Sequence, residues 1–97
     1  MERFDLRLYV AGRNPQTQQA IECVTRFCGT ELRGRYNLEV IDVLEHPKNE
    51  GVERILATPT LVKYAPGPMC QIVGDLSDRN TVRLGLGISR PAEVDST

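Results

Sequence analysis

Three cysteines and a single histidine are the side chains of this 97-residue chain best suited to covalent or metal chemistry. A dithiol redox centre needs two thiols at Cys-x-x-Cys spacing, at a helix N-terminus where the dipole lowers a thiol pKa. Here the corresponding place, after the first strand, reads Gly12-Arg13-Asn14-Pro15-Gln16 and holds no thiol. Cys23 and Cys28 both fall inside the first helix, about 140° apart around its axis. Cys28 sits on the apolar stripe and reads as core, Cys23 lies at the flank of the stripe, and Cys70 follows Pro68 in the second half. A thioredoxin-like oxidoreductase using Cys23, Cys28 or Cys70 is therefore the alternative reading rather than the favoured one. His46 precedes a proline in a polar stretch without Cys, His or carboxylate partners at ligand spacing, so no metal site is expected. One imidazole in a loop also assembles no nucleophile–base pair. Asp42 interrupts an apolar strand and should find water or a backbone donor. Asp75 or Ser77 reads as a helix cap. Gly12 and Gly85-Leu86-Gly87 match no phosphate-binding loop, and no cofactor is expected. What remains is a small non-enzymatic adaptor whose surfaces bind other proteins.

The bulk numbers agree. Thirteen acidic against twelve basic residues give no electrostatic case for nucleic acid or an anionic membrane. No apolar run approaches the ~20 residues of a membrane span. The charged N-terminus enters a strand at once, unlike a secretory signal, and an odd cysteine count argues against a disulfide framework. One domain over residues 1–97 in a reducing cytoplasm is the expectation.

Phe4, Leu6, Leu8 and Val10 alternate with Asp5, Arg7 and Tyr9, the period of a strand with one apolar face. Ala20, Ile21, Val24, Phe27, Cys28 and Leu32 recur at period 3.6, predicting a helix from about Gln16 to Leu32 that ends at Gly34. Asn37 to Leu44 is apolar on both faces and predicts a central strand. Together these make a βαβ unit with parallel strands. Beyond a polar break at His46–Gly51, Val52, Ile55 and Leu56 predict a short helix. Leu61–Tyr64 and Met69–Val73 predict a hairpin around the turn residues Ala65-Pro66-Gly67-Pro68. Thr58-Pro59 stands before the third strand, where cis bonds are often found, although trans is the commoner form.

The final apolar stretch reads two ways. Val82, Leu84, Leu86 and Ile88 lie at strict period two, and Gly85 and Gly87 would each cost about 1 kcal/mol in a helix interior. The local signal is a strand over residues 82–88. A βαβαββα, thioredoxin-like arrangement would need a helix there, and such conflict is expected where a sequence is not committed to one packing.

Four segments taken together resemble the KaiB family of circadian-clock proteins: Leu8–Gly12, Tyr36–Leu44, Ile55–Leu61 and Ile72–Ser77. The resemblance implies a metamorphic α/β protein. Its ground state, a dimer or tetramer, keeps the βαβ unit but has a different second half, with residues 82–88 extended. Its rarer state is thioredoxin-like. The rare form would dock on the N-terminal ATPase ring of a KaiC-like protein, then capture KaiA or compete with a KaiB-like sensor histidine kinase. For an isolated chain, the period-two pattern favours the ground state. The resemblance assigns partner binding to Arg7, Tyr36, Gly74 and Asp75, and the switch between folds to Pro59, Pro68, Gly85 and Gly87. Several positions depart from the clock pattern. Pro66-Gly67-Pro68 stands for three prolines, Cys70-Gln71 for a basic pair, and Gly87 for an aspartate. Binding to a KaiC-like ATPase, in a clock or a clock-derived stress response, is the expected role.

Overall fold

A computed structural model describes residues 3–46, 48, 55, 57–73 and 76–87. Strand β1 (Phe4–Val10) leads to helix α1 (Pro15–Phe27), which widens into a π-helical turn (Cys28–Leu32) before strand β2 (Tyr36–Asp42). The second half holds strand β3 (Thr60–Ala65), strand β4 (Cys70–Val73) and helix α2 (Arg79–Gly85). The expected short helix around Val52–Leu56 falls largely outside the described residues.

The four strands form one sheet in the order β2-β1-β3-β4. β1 runs parallel to β2, with Leu6 opposite Leu38, and antiparallel to β3, with Leu8 opposite Leu61. β3 and β4 form the expected antiparallel hairpin. The expectation that β2 is central is corrected: β2 is an edge, and β1 and β3 lie inside. Its apolar residues on both faces misled because one face is only partly covered, and Val40 stays 41 % exposed. The Thr58–Pro59 bond is cis rather than the commoner trans.

Helix α1 begins where local chemistry dictates. The Asn14 side chain accepts from the Thr17 amide at 2.9 Å, and Pro15 occupies the first helical position, where no amide partner is lost. The apolar stripe of α1 packs onto one sheet face, in a core that joins Leu6, Leu8, Val24, Phe27, Leu61 and Ile72. A smaller cluster of Tyr9, Ile41 and Val62 lies apart from it.

The largest correction concerns the last apolar stretch. Residues 79–85 are helical, and the chain takes the thioredoxin-like arrangement rather than the one with residues 82–88 extended. Asp78, not Asp75 or Ser77, caps this helix, accepting from the amides of Asn80 and Thr81. Val82 and Leu86 are each 1 % exposed and join the main core, whereas Leu84 is 74 % exposed. Period two is thus broken by packing: four positions apart, Val82 and Leu86 share one helical face, and Leu84 turns away.

Asp42 meets the backbone donors expected of it. Its carboxylate accepts from the Gly12 amide at 3.0 Å and the Leu44 amide at 2.9 Å, tying the β1–α1 turn to the end of β2. These two bonds hold its pKa below the ordinary range. A depressed carboxylate stabilises the fold above its unfolded pKa, and this contribution is lost as pH falls through the folded value. Asp42→Asn should therefore be less stable than wild type at neutral pH. Its thermal midpoint should also fall less steeply between about pH 5 and pH 2, as followed by circular dichroism.

Candidate functional site

Arg7 lies on the sheet face opposite α1, since its neighbours Leu6 and Leu8 point into the main core. Its guanidinium sits over the Tyr64 ring at 4.6 Å and reaches Glu39 at 3.7 Å. The Tyr9 and Tyr64 hydroxyls are 3.0 Å apart. Burial, and then the bond to Tyr9, push the Tyr64 phenol up to about 12, so it stays neutral and hydrogen-bonding. This is a preorganised cationic and aromatic patch, its arginine positioned by stacking. Tyr36 does not share it. That side chain opens β2 on the opposite face, half-buried against the main core. Gly74 and Asp75 lie outside the described residues. The two described residues expected to bind a partner, Arg7 and Tyr36, therefore lie on opposite faces of the sheet.

The three cysteines lie on different parts of the fold, Cys23 and Cys28 in the first helical segment and Cys70 on β4. Cys28 is fully buried, and burial pushes its thiol up to about 12, the opposite of an activated nucleophile. Cys23 lines a cavity of about 160 Å³ with Gln16, Gln19, Pro59 and Leu76. Cys70 is on β4, where its Sγ donates to the Gly85 carbonyl at 2.8 Å. All three thiols are free. Among the described residues, no cluster of His, Cys, Asp or Glu could hold a metal ion.

The residues expected to govern a fold switch occupy three places. Pro59 borders the cavity beside α1, and Pro68 is exposed in the β3–β4 turn. Gly85 and Gly87 are at the C-terminal end of α2. A Cβ on Gly85 would stand 2.5 Å from Ile72 Cγ1, so glycine lets the helix approach β4 closely. Gly87 has φ of +73°, a left-handed conformation that ends the helix. Lys63, on β3, is only 5 % exposed, and its ammonium donates to the Leu86 carbonyl at 3.1 Å. A cation at the carbonyl end of a helix is favourably placed. Along α2, Arg79 at its first position and Arg83 in its last turn both pair with Glu31 from the π-helical turn. Sequence reading missed Lys63, Glu31, Arg79 and Arg83. The available signal was the four-residue spacing of the two arginines, which the period-two pattern concealed.

A model of the KaiB domain matches residues 7–88. The chain belongs to the KaiB family. It is 47 % identical over 88 residues to the circadian clock protein KaiB3 of Synechocystis, covering 91 % of this chain and 86 % of that one. It is 48 % identical over 85 residues to the circadian clock oscillator protein KaiB of Parasynechococcus marenigrum, covering 88 % of this chain and 82 % of that one. Among solved structures, the N-terminal domain of SasA from Synechococcus elongatus superimposes with a TM-score of 0.68 at 30 % identity, covering 87 % of this chain and 81 % of that domain. This KaiB-family chain therefore has the thioredoxin-like architecture, and its relatives are named as clock proteins rather than as enzymes. No helix among its described residues is long and apolar enough to cross a membrane.

Two substitutions test the C-terminal end of α2. Lys63→Met leaves the Leu86 carbonyl without its charged donor and should cost about 1–3 kcal/mol in urea denaturation. Gly87→Ala places a Cβ at positive φ and should cost about 1–2 kcal/mol in the same measurement.

Proposed function

We propose that this chain is a non-enzymatic, cytoplasmic adaptor that binds the N-terminal ATPase ring of a KaiC-type protein and modulates its phosphorylation cycle. The setting is a circadian clock or a clock-derived stress response. The observation that carries the reading is the family match over residues 7–88, joined to a thioredoxin-like second half shared with the SasA N-terminal domain. Further partners under this reading are KaiA, captured by the complex, and a KaiB-like sensor kinase displaced from it. A homodimer or homotetramer would store the chain in its other arrangement.

The family reading implies a mechanism of population shift. Under this reading the ring binds the form with α2 helical and so draws the equilibrium toward it. The apparent affinity is then reduced by the fraction of competent molecules. Arg7 contributes a charge held in place by Tyr64 and Glu39. Pro59, Pro68, Gly85 and Gly87 set the balance between arrangements.

Biolayer interferometry against an immobilised KaiC-type hexamer checks this. Complex should accumulate over minutes rather than at the rate of mixing, and Arg7→Glu should weaken binding at least tenfold while the thiol variant Cys23→Ser binds as wild type. No complex at any concentration would overturn the adaptor reading, and insulin reduction by the wild type that is lost in Cys70→Ser would replace it by an oxidoreductase.

A further inference from the structure

Residues 79–87 are a helix followed by a left-handed glycine, yet their apolar pattern is that of a strand. Something outside the segment must select the helical form. Val82 and Leu86 bury apolar surface on the sheet, but burial is largely non-directional and would also reward a strand packed there. A hydrogen-bonded charge cluster is directional, and one such cluster joins this segment to the N-terminal half.

Glu31 projects from the π-helical turn after α1, and a single oxygen, Oε2, accepts from Arg79 Nη2 at 2.7 Å and Arg83 Nη2 at 2.9 Å. The two arginines are four residues apart. On a helix such residues are neighbours, about 5–6 Å between Cβ atoms. On a strand, at about 3.3 Å per residue, they stand roughly 13 Å apart, so both side chains would have to stretch toward each other along the strand to meet on one carboxylate oxygen. The cluster fits the helical form best, because Arg83 also bonds Asn80, three residues away, and such a pair shares a face on a helix but lies on opposite faces of a strand.

The surroundings give this contact weight. The Glu31 and Arg83 side chains are 16 % and 11 % exposed, so both charges are largely withdrawn from water. Arg83 spends its remaining Nη group on Asn80 Oδ1 at 3.1 Å, and its Nε is buried with no hydrogen-bond partner among the described residues. Loss of Glu31 would leave a partly buried guanidinium without its counter-charge, a penalty borne by the helical form. Arg79 is also fixed from a second side, 5.4 Å from the centre of the Phe27 ring on α1.

We infer that Glu31 is a conformation-selecting latch: it recognises the helical form of residues 79–85 through paired contacts to Arg79 and Arg83, and thereby couples the βαβ half to the state of the C-terminal half. The inference goes beyond partner binding, and its test contains no ATPase, so either can fail alone.

The test measures the helical fraction of residues 79–85 by backbone 13Cα shifts, with saturation-transfer exchange where the helical form is the minor one. Signals of β1, α1 and β2 serve as internal controls. Glu31→Gln keeps the side-chain shape and removes the charge, and should lower the ratio of helical to non-helical forms at least tenfold while the control signals stay in place. Arg83→Met should lower the ratio too, and adding it to Glu31→Gln should change the ratio less than twofold further, because both act through one contact. A ratio within twofold of wild type in Glu31→Gln overturns the inference. So do fully additive effects in the double variant, or loss of the β1, α1 and β2 signals together with those of α2, which would mark Glu31 as a general stabiliser of the whole fold.

Discussion

Helices shorter than about 12–15 residues are marginal in water, because nucleation fixes several residues before the hydrogen bonds repay it. Helix α2 has seven residues and ends at two glycines separated by one leucine. Its existence depends on docking against β3 and β4. Gly85 lets the helix backbone come close to Ile72, Val82 and Leu86 enter the main core, and Lys63 and Cys70 donate to the successive carbonyls of Leu86 and Gly85. Each of these contacts belongs to the helical arrangement. The form of the second half is therefore a tertiary decision, made by the sheet and by the end of α1.

The first half carries more of its own local signals. Strand β1 pairs on both sides, parallel to β2 and antiparallel to β3, and its alternate residues anchor the core. Helix α1 carries its own start signal in Asn14-Pro15 and its own apolar stripe. Asp42 then fixes the turn between β1 and α1 to the far end of β2. A rigid βαβ unit thus presents a platform on which the remainder packs.

Legibility from sequence follows the same division. β1, α1 and the β3–β4 hairpin could be read because local periodicity and tertiary packing agree in them: Phe4 to Val10 alternate, Ala20 to Leu32 recur every turn, and prolines mark the hairpin loop. α2 could not, because Val82, Leu84, Leu86 and Ile88 describe a strand and only packing breaks the pattern. The position of β2 at an edge was hidden by its apolar composition on both faces. The candidate partner-binding surface was legible only in part. Arg7 could be named from the family resemblance, but its stacking on Tyr64 depends on the register of β1 against β3. Lys63 resembled any strand lysine until the fold buried it beneath the end of α2. Cys28 was readable as core because it sits on the helical stripe, and its burial removes it from redox chemistry.

The account turns on one claim, that a partner selects the helical arrangement of the C-terminal segment. The most direct measurement is the backbone 13Cα shift of Val82 to Gly87, first in the free chain and then with a saturating KaiC-type hexamer. The account predicts helical shifts from Val82 to Gly85 in the complex, with a larger helical fraction than in the free chain and unchanged shifts along β1. Extended shifts at Val82 to Gly87 in the complex, or the same helical fraction with and without the hexamer, would contradict it.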